Sequence, residues 1–180
     1  MVYDRGGGTF DVTSVRYTPT EFTVLATDGD TMLGGLDWTQ RLVEFLADEF
    51  LEQFGLDPRS DPLALKALSV EAEAAKRELS LWEKSDVSFA WGNIKLEREV
   101  TRKKFEELTL DLLQRTRDTS EFVLDQAGIS TSDLSEVLLV GGSTTMPAVA
   151  DLLKAVSGTT PSRIAMMQAI NSTAPAAPRR

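Results

Sequence analysis

Two glycine-rich turns, each directly after a short apolar strand, constrain this chain more than any other feature. They are Asp4-Arg5-Gly6-Gly7-Gly8-Thr9 and Gly141-Gly142-Ser143-Thr144. Glycine permits positive φ and a close approach of the backbone to a ligand, and consecutive free amides can then point at an anion. Two such turns predict a single phosphate-binding site, and a nucleotide is the obvious anion.

The residue types of the first turn suit phosphate and magnesium chemistry. The carboxylate of Asp4, where the first strand ends, can hold a magnesium ion through its waters or orient an attacking water. The amides of Gly6, Gly7 and Gly8 and the hydroxyl of Thr9 can donate hydrogen bonds to phosphate oxygens. Because short glycine motifs occur often, a hairpin without any ligand is the alternative for this turn taken alone.

The second turn lies between a predicted strand and a predicted helix. The apolar run Glu136–Val140 is typical of a strand that is buried on both faces. After Pro147, an apolar stripe with helical spacing follows at Val149, Leu152, Leu153 and Val156. The order of strand, glycine turn and helix is typical of nucleotide-binding α/β folds, with a purely structural turn as the alternative.

A helix is predicted from 61 to 82, because Asp61-Pro62 combines a capping carboxylate with proline at the first helical position. Its apolar face carries Leu68, Ala72, Ala75, Leu79 and Trp82. The opposite face carries Glu73, Lys76, Arg77 and Ser80. Spacing alone indicates that this second face is solvated and forms local ion pairs.

The remaining elements follow from apolar periodicity. Strands are predicted at 2–4, 9–17 and 21–28, then a helix at 37–54, a hairpin at 87–91 and 94–96, and a helix from 102 to about 126 that ends at Gly128. Trp38, Leu42, Phe45, Leu46 and Phe50 form the core stripe of the 37–54 helix. Trp91 is interpreted as packing within the hairpin.

Composition narrows the function classes. The 180 residues are 42% hydrophobic, which suffices for one substantial core with a smaller lobe beside it. There is no cysteine for a disulfide framework, no apolar run of membrane-spanning length and no signal stretch, so we expect a cytoplasmic protein without a membrane partner.

The net charge and the histidine content narrow the function classes further. The net charge of -9 argues against a nucleic-acid partner, because phosphate backbones require a surplus of lysine and arginine. The chain also has no histidine, so any hydrolysis has to rest on carboxylates and a hard ion.

Several segments, in a consistent order, resemble the heat-shock protein 70 (Hsp70, DnaK-like) chaperone family, whose ATPase domain shares its fold with actin and sugar kinases. The segments are Val2–Val12, Val24–Thr31, Leu33–Gly35, Thr101–Leu108 and Val137–Thr144. The resemblance covers residues 2 to about 160. An actin-like filament protein or a sugar kinase is a weaker alternative, because the matches outside the phosphate turns are chaperone-like.

The resemblance implies an α/β fold, the second lobe of an actin-like (ribonuclease H-like) ATPase domain. Residues 1–36 and 101–160 would form the nucleotide-binding subdomain, and 37–100 a smaller inserted α+β subdomain that carries the adenosine helix. The composition of 161–180, rich in alanine and proline towards its end, predicts a disordered tail.

The same resemblance implies the ligands and their residues. ATP or ADP would bind with Mg²⁺, and Asp4 and Thr9 would be catalytic, with Asp4 holding the metal through water. Phosphates would lie against Gly6, Gly7, Gly8, Thr9, Gly34 and Gly35. The adenosine would lie against Glu73, Lys76, Arg77, Ser80, Gly141, Gly142 and Ser143, with the Arg77 guanidinium stacked on adenine. Client proteins and co-chaperones would be the partners of a complete chaperone involved in protein folding and the stress response.

Departures from the family pattern limit what is expected of this chain. The match begins in the middle of the family's ATPase domain, so we expect the first lobe to be missing, and hydrolysis by the isolated chain is doubtful. Thr145 stands where the family usually has an adenine-covering arginine, and Leu36 replaces an acidic residue, so adenosine affinity should suffer. Arg5 replaces an apolar residue, and we expect it to project into solvent rather than towards phosphate. A non-catalytic remnant or interaction module, which needs a separate first lobe, is the competing function.

Overall fold

The computed structural model describes residues 1–163 as a mixed α/β structure with two sheets. The strands are β1 (Val2–Arg5), β2 (Phe10–Tyr17), β3 (Phe22–Asp30), β4 (Lys84–Trp91), β5 (Ile94–Thr101) and β6 (Leu138–Val140). The helices are α1 (Gly35–Phe54), α2 (Pro62–Leu81), α3 (Arg102–Leu108), α4 (Leu110–Ala127) and α5 (Pro147–Ser157). Within residues 1–163, no helix is both long and apolar enough to cross a membrane.

The first sheet has four strands in the order β3-β2-β1-β6. β1 pairs antiparallel with β2 and parallel with β6, with Val2 opposite Leu138 and Asp4 opposite Val140. Parallel neighbours end at the same edge of a sheet. The glycine turns that follow β1 and β6 therefore emerge side by side, although more than 130 positions separate them in the chain.

One face of this sheet forms a wall of the core. Tyr3 and Arg5 of β1 and Phe10 and Val12 of β2 alternate onto that face, and all four are fully buried. The rings of Tyr3 and Phe10 lie 4.7 Å apart, and α4 packs against β2 and β3. Each fully buried large apolar side chain stabilises the fold by roughly 1.5–3 kcal/mol.

The helix α2 confirms the predicted start and most of the predicted apolar face. The Asp61 carboxylate accepts hydrogen bonds from the amides of Leu63 and Ala64, and Pro62 occupies the first turn. The face made by Leu68, Ala72, Ala75 and Leu79 is buried against α1 and β4. The prediction that Trp82 belongs to this face is wrong: the helix ends at Leu81, Trp82 takes extended backbone angles, and its side chain is 66% exposed.

Two further predictions about elements need correction. The single helix predicted from 102 to 126 is two helices, α3 and α4, because Thr109 leaves helical geometry and turns its hydroxyl back to the Phe105 carbonyl at 2.9 Å. The strand predicted over 136–140 is shorter, and only Leu139 within β6 is buried, so full burial on both faces is wrong. Gly128 does cap α4, with φ of 63°.

The second sheet is the hairpin β4–β5, turned at Gly92 with φ of 60°. Trp91 packs 6.0 Å from the ring of Phe50 on α1 and donates from Nε1 to the Asp61 carboxylate at 3.1 Å. Its role is packing, as predicted, but these contacts lie on α1 and at the start of α2 rather than within the hairpin. The core stripe of α1 is also confirmed, with Phe45 only half-buried.

The predicted tail falls partly outside the described residues. Ser162 pairs with β6 through backbone bonds to Val137 and Leu139, and Arg163 donates to the Thr144 carbonyl at 2.7 Å. Residues 164–180 lie outside the described part of the chain. Disorder of the tail therefore stays a prediction.

Candidate functional site

The two glycine turns meet at the carboxyl ends of β1 and β6. The Ser143 hydroxyl donates to the Gly6 carbonyl at 3.0 Å and so joins the second turn to the first. A crevice beyond the carboxyl ends of parallel strands is where α/β folds bind ligands. The structure thus brings together the two motifs that predicted one phosphate site.

The first turn is exposed and has open space beside Gly7 and Gly8. The Gly6 amide donates to the Thr9 carbonyl at 3.0 Å, whereas the amides of Gly7 and Gly8 donate to no acceptor within residues 1–163. A Cβ built on Gly7 or Gly8 would meet no atom within 4 Å. Contrary to the sequence argument, none of the three glycines has a positive φ. The free amides and the empty space beside them form a cradle that side chains would fill.

The pair Gly34-Gly35 forms the start of α1 and lies directly against this cradle. The amides of Gly35 and Leu36 donate to the carbonyls of Gly6 and Gly7 at 3.0 and 2.8 Å, and the Gly34 amide donates to the Asp37 carboxylate at 2.6 Å. A Cβ on Gly34 would collide with the backbone of the first turn. These glycines hold α1 close to the turn, and their contact with phosphate stays a prediction.

The second turn is tightly constrained by the chain itself. Gly141 has φ of 85° and ψ of 146°, and a Cβ there would collide with the Arg5 carbonyl. Residues 142–145 form a single 3₁₀ turn, closed by the Thr144 hydroxyl, which donates to the Gly141 carbonyl at 2.7 Å. Only glycine readily adopts such backbone angles.

The polar face of α2 forms the opposite wall. The Lys76 side chain is only 12% exposed, and its ammonium donates to the Gly35 carbonyl at 2.7 Å and the Thr39 hydroxyl at 2.8 Å. It also pairs with the Glu73 carboxylate at 2.6 Å. Burial lowers the pKa of Lys76, while Glu73 opposes that shift. This lysine thus connects α2 to the start of α1.

Glu73 organises the remaining contacts of that face. It accepts hydrogen bonds from the Thr39 hydroxyl at 2.6 Å and from Arg77 Nε at 2.9 Å. Burial by itself raises the pKa of the Glu73 carboxyl, but the hydrogen bonds from Lys76, Thr39 and Arg77 outweigh it, so the pKa lies below its ordinary value. The Arg77 side chain is 78% exposed and therefore available to a ligand.

A cleft of about 750 Å³ lies between these walls. Of the predicted site residues, those on its lining are Gly7, Gly35, Glu73, Lys76, Arg77, Ser80, Gly142 and Ser143. The predicted residues that do not line it are Asp4, Gly6, Gly8, Thr9, Gly34 and Gly141. All of the latter belong to the two turns or to the start of α1, immediately beside the lining residues.

Thr39 is a site residue that the sequence argument missed. It lies on the cleft wall and shares hydrogen bonds with Lys76 and Glu73 from α2. The sequence signal that could have identified Thr39 is its position one helical turn after Gly35. The helix α1 begins at Gly35, and the first turn of α1 faces the glycine turns. The apolar stripe of α1 by itself indicates a purely structural helix, so it gives no sign of a site residue.

Comparison with known proteins bears on this cleft. The family model described as Hsp70 protein matches residues 1–170. The chaperone protein DnaK of Deinococcus proteolyticus is 46% identical over 166 residues, which make up 88% of this chain. This chain belongs to the Hsp70 family. It spans about a quarter of the length of that relative, 26%.

Membership of the Hsp70 family implies the actin-like ATPase fold, and the mixed α/β architecture agrees with it. The two positions that are interpreted from the sequence as departures from the family pattern, Leu36 and Thr145, both lie on the cleft wall. Leu36 is exposed at the start of α1, and Thr145 donates to the Gly142 carbonyl at 2.8 Å and to the Ser80 hydroxyl at 3.5 Å. Thr145 thus bridges the second turn and α2 with a short side chain.

The donor set of this Hsp70 chain suits magnesium that arrives with a phosphate ligand. The Asp4 carboxylate, at the end of β1, makes no hydrogen bond or ion pair within residues 1–163. No cluster of three or more metal-ligating side chains occurs in that part of the chain. A single free carboxylate fits Mg²⁺, which usually keeps several waters and shares them with phosphates.

The expectation that Arg5 projects into solvent is wrong. Its side chain has no exposed surface, and its guanidinium lies 4.0 Å from the centre of the Trp38 ring. One terminal nitrogen donates to the Ser143 carbonyl. The strand period explains the burial, because Arg5 follows Tyr3 by two residues and shares its inward face.

Proposed function

We propose that this chain binds an adenine nucleotide with Mg²⁺ in the cleft between the two glycine turns and α2. It would act as the second lobe of an Hsp70-type ATPase domain, with residues 1–36 and 101–160 as the nucleotide-binding subdomain and 37–100 as the inserted one. The parallel register of β1 and β6 carries this proposal, because it joins both turns into one crevice that faces three cations.

The phosphates would bind on the first turn. The unpaired amides of Gly7 and Gly8 and the exposed hydroxyl of Thr9 can donate to phosphate oxygens without breaking any bond of the protein. Asp4 would hold Mg²⁺ through its waters. The chemistry that the ion would supply when bound is a reduction of the negative charge on the phosphate oxygens.

The adenosine would bind between α2 and the second turn. The exposed Arg77 guanidinium can stack on adenine, and Glu73 holds it in place through the Nε bond. Lys76, Ser80 and Ser143 border the same space with polar groups. Because Thr145 is short, adenine would be covered on one face only, and we expect weak affinity.

The activity of a complete chaperone is a further part of the proposal. In an Hsp70-type protein, ATP binding and hydrolysis would change affinity for client proteins, with co-chaperones as partners. Transfer of a phosphoryl group requires charge positioned on both sides of it, and this chain would supply one side through Asp4 and Thr9, which lie beside the cleft. We therefore expect nucleotide binding, and no appreciable hydrolysis, from this chain alone.

Isothermal titration with magnesium ADP tests this function. We expect Arg77→Ala to weaken ADP binding by about fivefold, because loss of a cation–π contact costs about 1 kcal/mol. Arg117→Ala is the matched control: it removes another exposed arginine with an i,i+4 ion pair, to Glu121 at 2.8 Å, on α4 rather than on the cleft.

The outcomes separate the competing functions. Weaker binding in Arg77→Ala but not in Arg117→Ala supports an adenosine half-site. A folded chain that gives neither heat nor chemical-shift change at millimolar ADP contradicts nucleotide binding. That result would favour an interaction module that requires a separate first lobe.

A further inference from the structure

Arg5 is a buried cation without a counter-charge. Its guanidinium stacks on Trp38 and donates to the Ser143 carbonyl and, at 3.5 Å, to the sulfur of Met146. The Tyr3 hydroxyl lies beside it and favours its charged form, but that hydroxyl is an uncharged neighbour. Nε and the other terminal nitrogen are buried and unpartnered, and no carboxylate within residues 1–163 pairs with the side chain. Burial lowers the pKa of Arg5 to about 10, so the group stays charged at neutral pH.

Such a charge is costly to the fold. A buried ion that lacks a partner is strongly unfavourable, and a neutral side chain of similar size is often more stable in its place. The stack on Trp38 and one backbone acceptor offset only part of this cost. The stability of the fold therefore does not explain why a cation occupies this position.

The other charged residues around the cleft add to the excess of positive charge there. The charged residues on the cleft wall are three cations, Arg5, Lys76 and Arg77, and one carboxylate, Glu73. Arg5 also disfavours the charged form of Lys76 through like-charge repulsion. The cleft is thus positive in a chain whose net charge is -9. A ligand with negative charge would supply the counter-charge that Arg5 lacks, whereas Lys76 already pairs with Glu73.

We propose that Arg5 determines ligand specificity: its buried charge makes the cleft select a nucleoside polyphosphate over the uncharged nucleoside. This inference rests on the proposed nucleotide site and deepens it. Arg5 acts from beneath the second turn, through the field it creates in a region of low dielectric and through its bond to Ser143. It does not need to touch the ligand.

The test compares magnesium ADP with adenosine by isothermal titration of the full chain. In Arg5→Leu, we expect ADP affinity to fall about tenfold and adenosine affinity to stay within about twofold, because only ADP interacts with the lost charge. Arg5→Lys keeps the charge and should recover most of the preference for ADP. The melting temperature of Arg5→Leu should equal or exceed that of the unaltered chain, because an unpaired buried charge is removed.

Other outcomes overturn the inference in distinguishable ways. Equal losses for ADP and adenosine in Arg5→Leu would show that Arg5 only shapes the second turn. Unchanged affinities for both ligands would show that the buried charge has no effect on binding. If Arg5→Leu does not fold, Arg5→Gln removes the charge and keeps a polar group, with the same expectation. Binding of neither ligand by the unaltered chain would overturn the proposed function and this inference with it.

Discussion

The first glycine turn leaves open space beside Gly7 and Gly8, whereas the second turn packs Gly141 against the carbonyl of Arg5. The two turns look alike in sequence, and each follows an apolar strand. At Gly7 and Gly8, nothing within the described chain requires glycine, because φ is not positive and a Cβ would meet no atom within 4 Å. In the second turn, both φ and the close backbone contact require it.

This difference shows that similar motifs can place glycine for different reasons. Glycine at 141 serves the fold, because it lets β6 turn sharply beside β1. No contact within the described chain explains glycine at 7 and 8, and under the proposed function their free amides would donate to a phosphate group. Two substitutions test this difference between the turns, and a third tests the wall formed by α2.

Gly141→Ala should have the largest effect. The substituted residue would have to adopt a backbone conformation that L residues avoid and would collide with the Arg5 backbone, so we expect a loss of about 3 kcal/mol in the free energy of unfolding. Equilibrium unfolding in urea measures it. Gly142→Ala is the matched control, since a Cβ there meets nothing within 4 Å, and it should cost less than about 1 kcal/mol. Equal losses of unfolding free energy in the two variants would contradict the conclusion that the fold requires glycine at position 141.

Gly7→Ala should affect binding rather than stability. We expect the free energy of unfolding to change by less than about 1 kcal/mol, because the site has room for a methyl group. Affinity for magnesium ADP should fall about tenfold, because the methyl group would occupy the phosphate cradle. Titration calorimetry measures the affinity, and unfolding in urea without ligand is its control. A stable variant that binds ADP normally would exclude the first turn from the site.

The smallest expected effect concerns the wall of α2. The folded pKa of Glu73 lies below its ordinary value of 4.5, so its contribution to stability is present above that pH and is lost as the pH falls through the folded pKa. When the pH is lowered below 4.5, the stability of Glu73→Gln should therefore fall by less than the stability of the unaltered chain. Thermal unfolding at a series of pH values measures the difference.

The control for that series is Glu52→Gln, which removes an exposed carboxylate at the end of α1. We expect the stability of this variant to depend on pH in the same way as that of the unaltered chain. A Glu73→Gln profile identical to that of the Glu52 variant would mean that the network of Glu73, Lys76 and Thr39 does not contribute.

Much of the local structure was predictable from sequence, because capping and periodicity depend on neighbours in the chain. Asp61-Pro62 and the spacing of Leu68, Ala72 and Leu79 predict α2 and its buried face correctly. The errors lie where a local rule ends or is overridden. Trp82 is exposed because the helix stops one residue earlier, and Thr109 interrupts a pattern that otherwise reads as one helix.

The candidate site was predictable in part. Motif order and family resemblance identify both turns and the polar face of α2, and the structure places them around one cleft. Thr39 was missed because its role depends on two residues of another helix, more than 30 positions away. Arg5 was misjudged because charge suggests solvent, while the two-residue period of β1 turns the side chain inward.

The family and the residues of the phosphate motifs could be identified from the resemblance of the sequence to Hsp70, and local spacing predicted the strands and all helices except the division into α3 and α4. Which glycines face open space, which amides are free and which buried cation lacks a counter-charge depend instead on tertiary contacts. These properties arise when β1 and β6 pair side by side and α1 and α2 close over their ends. Contacts between residues so far apart in the chain depend on the packing of whole elements, which no local pattern encodes.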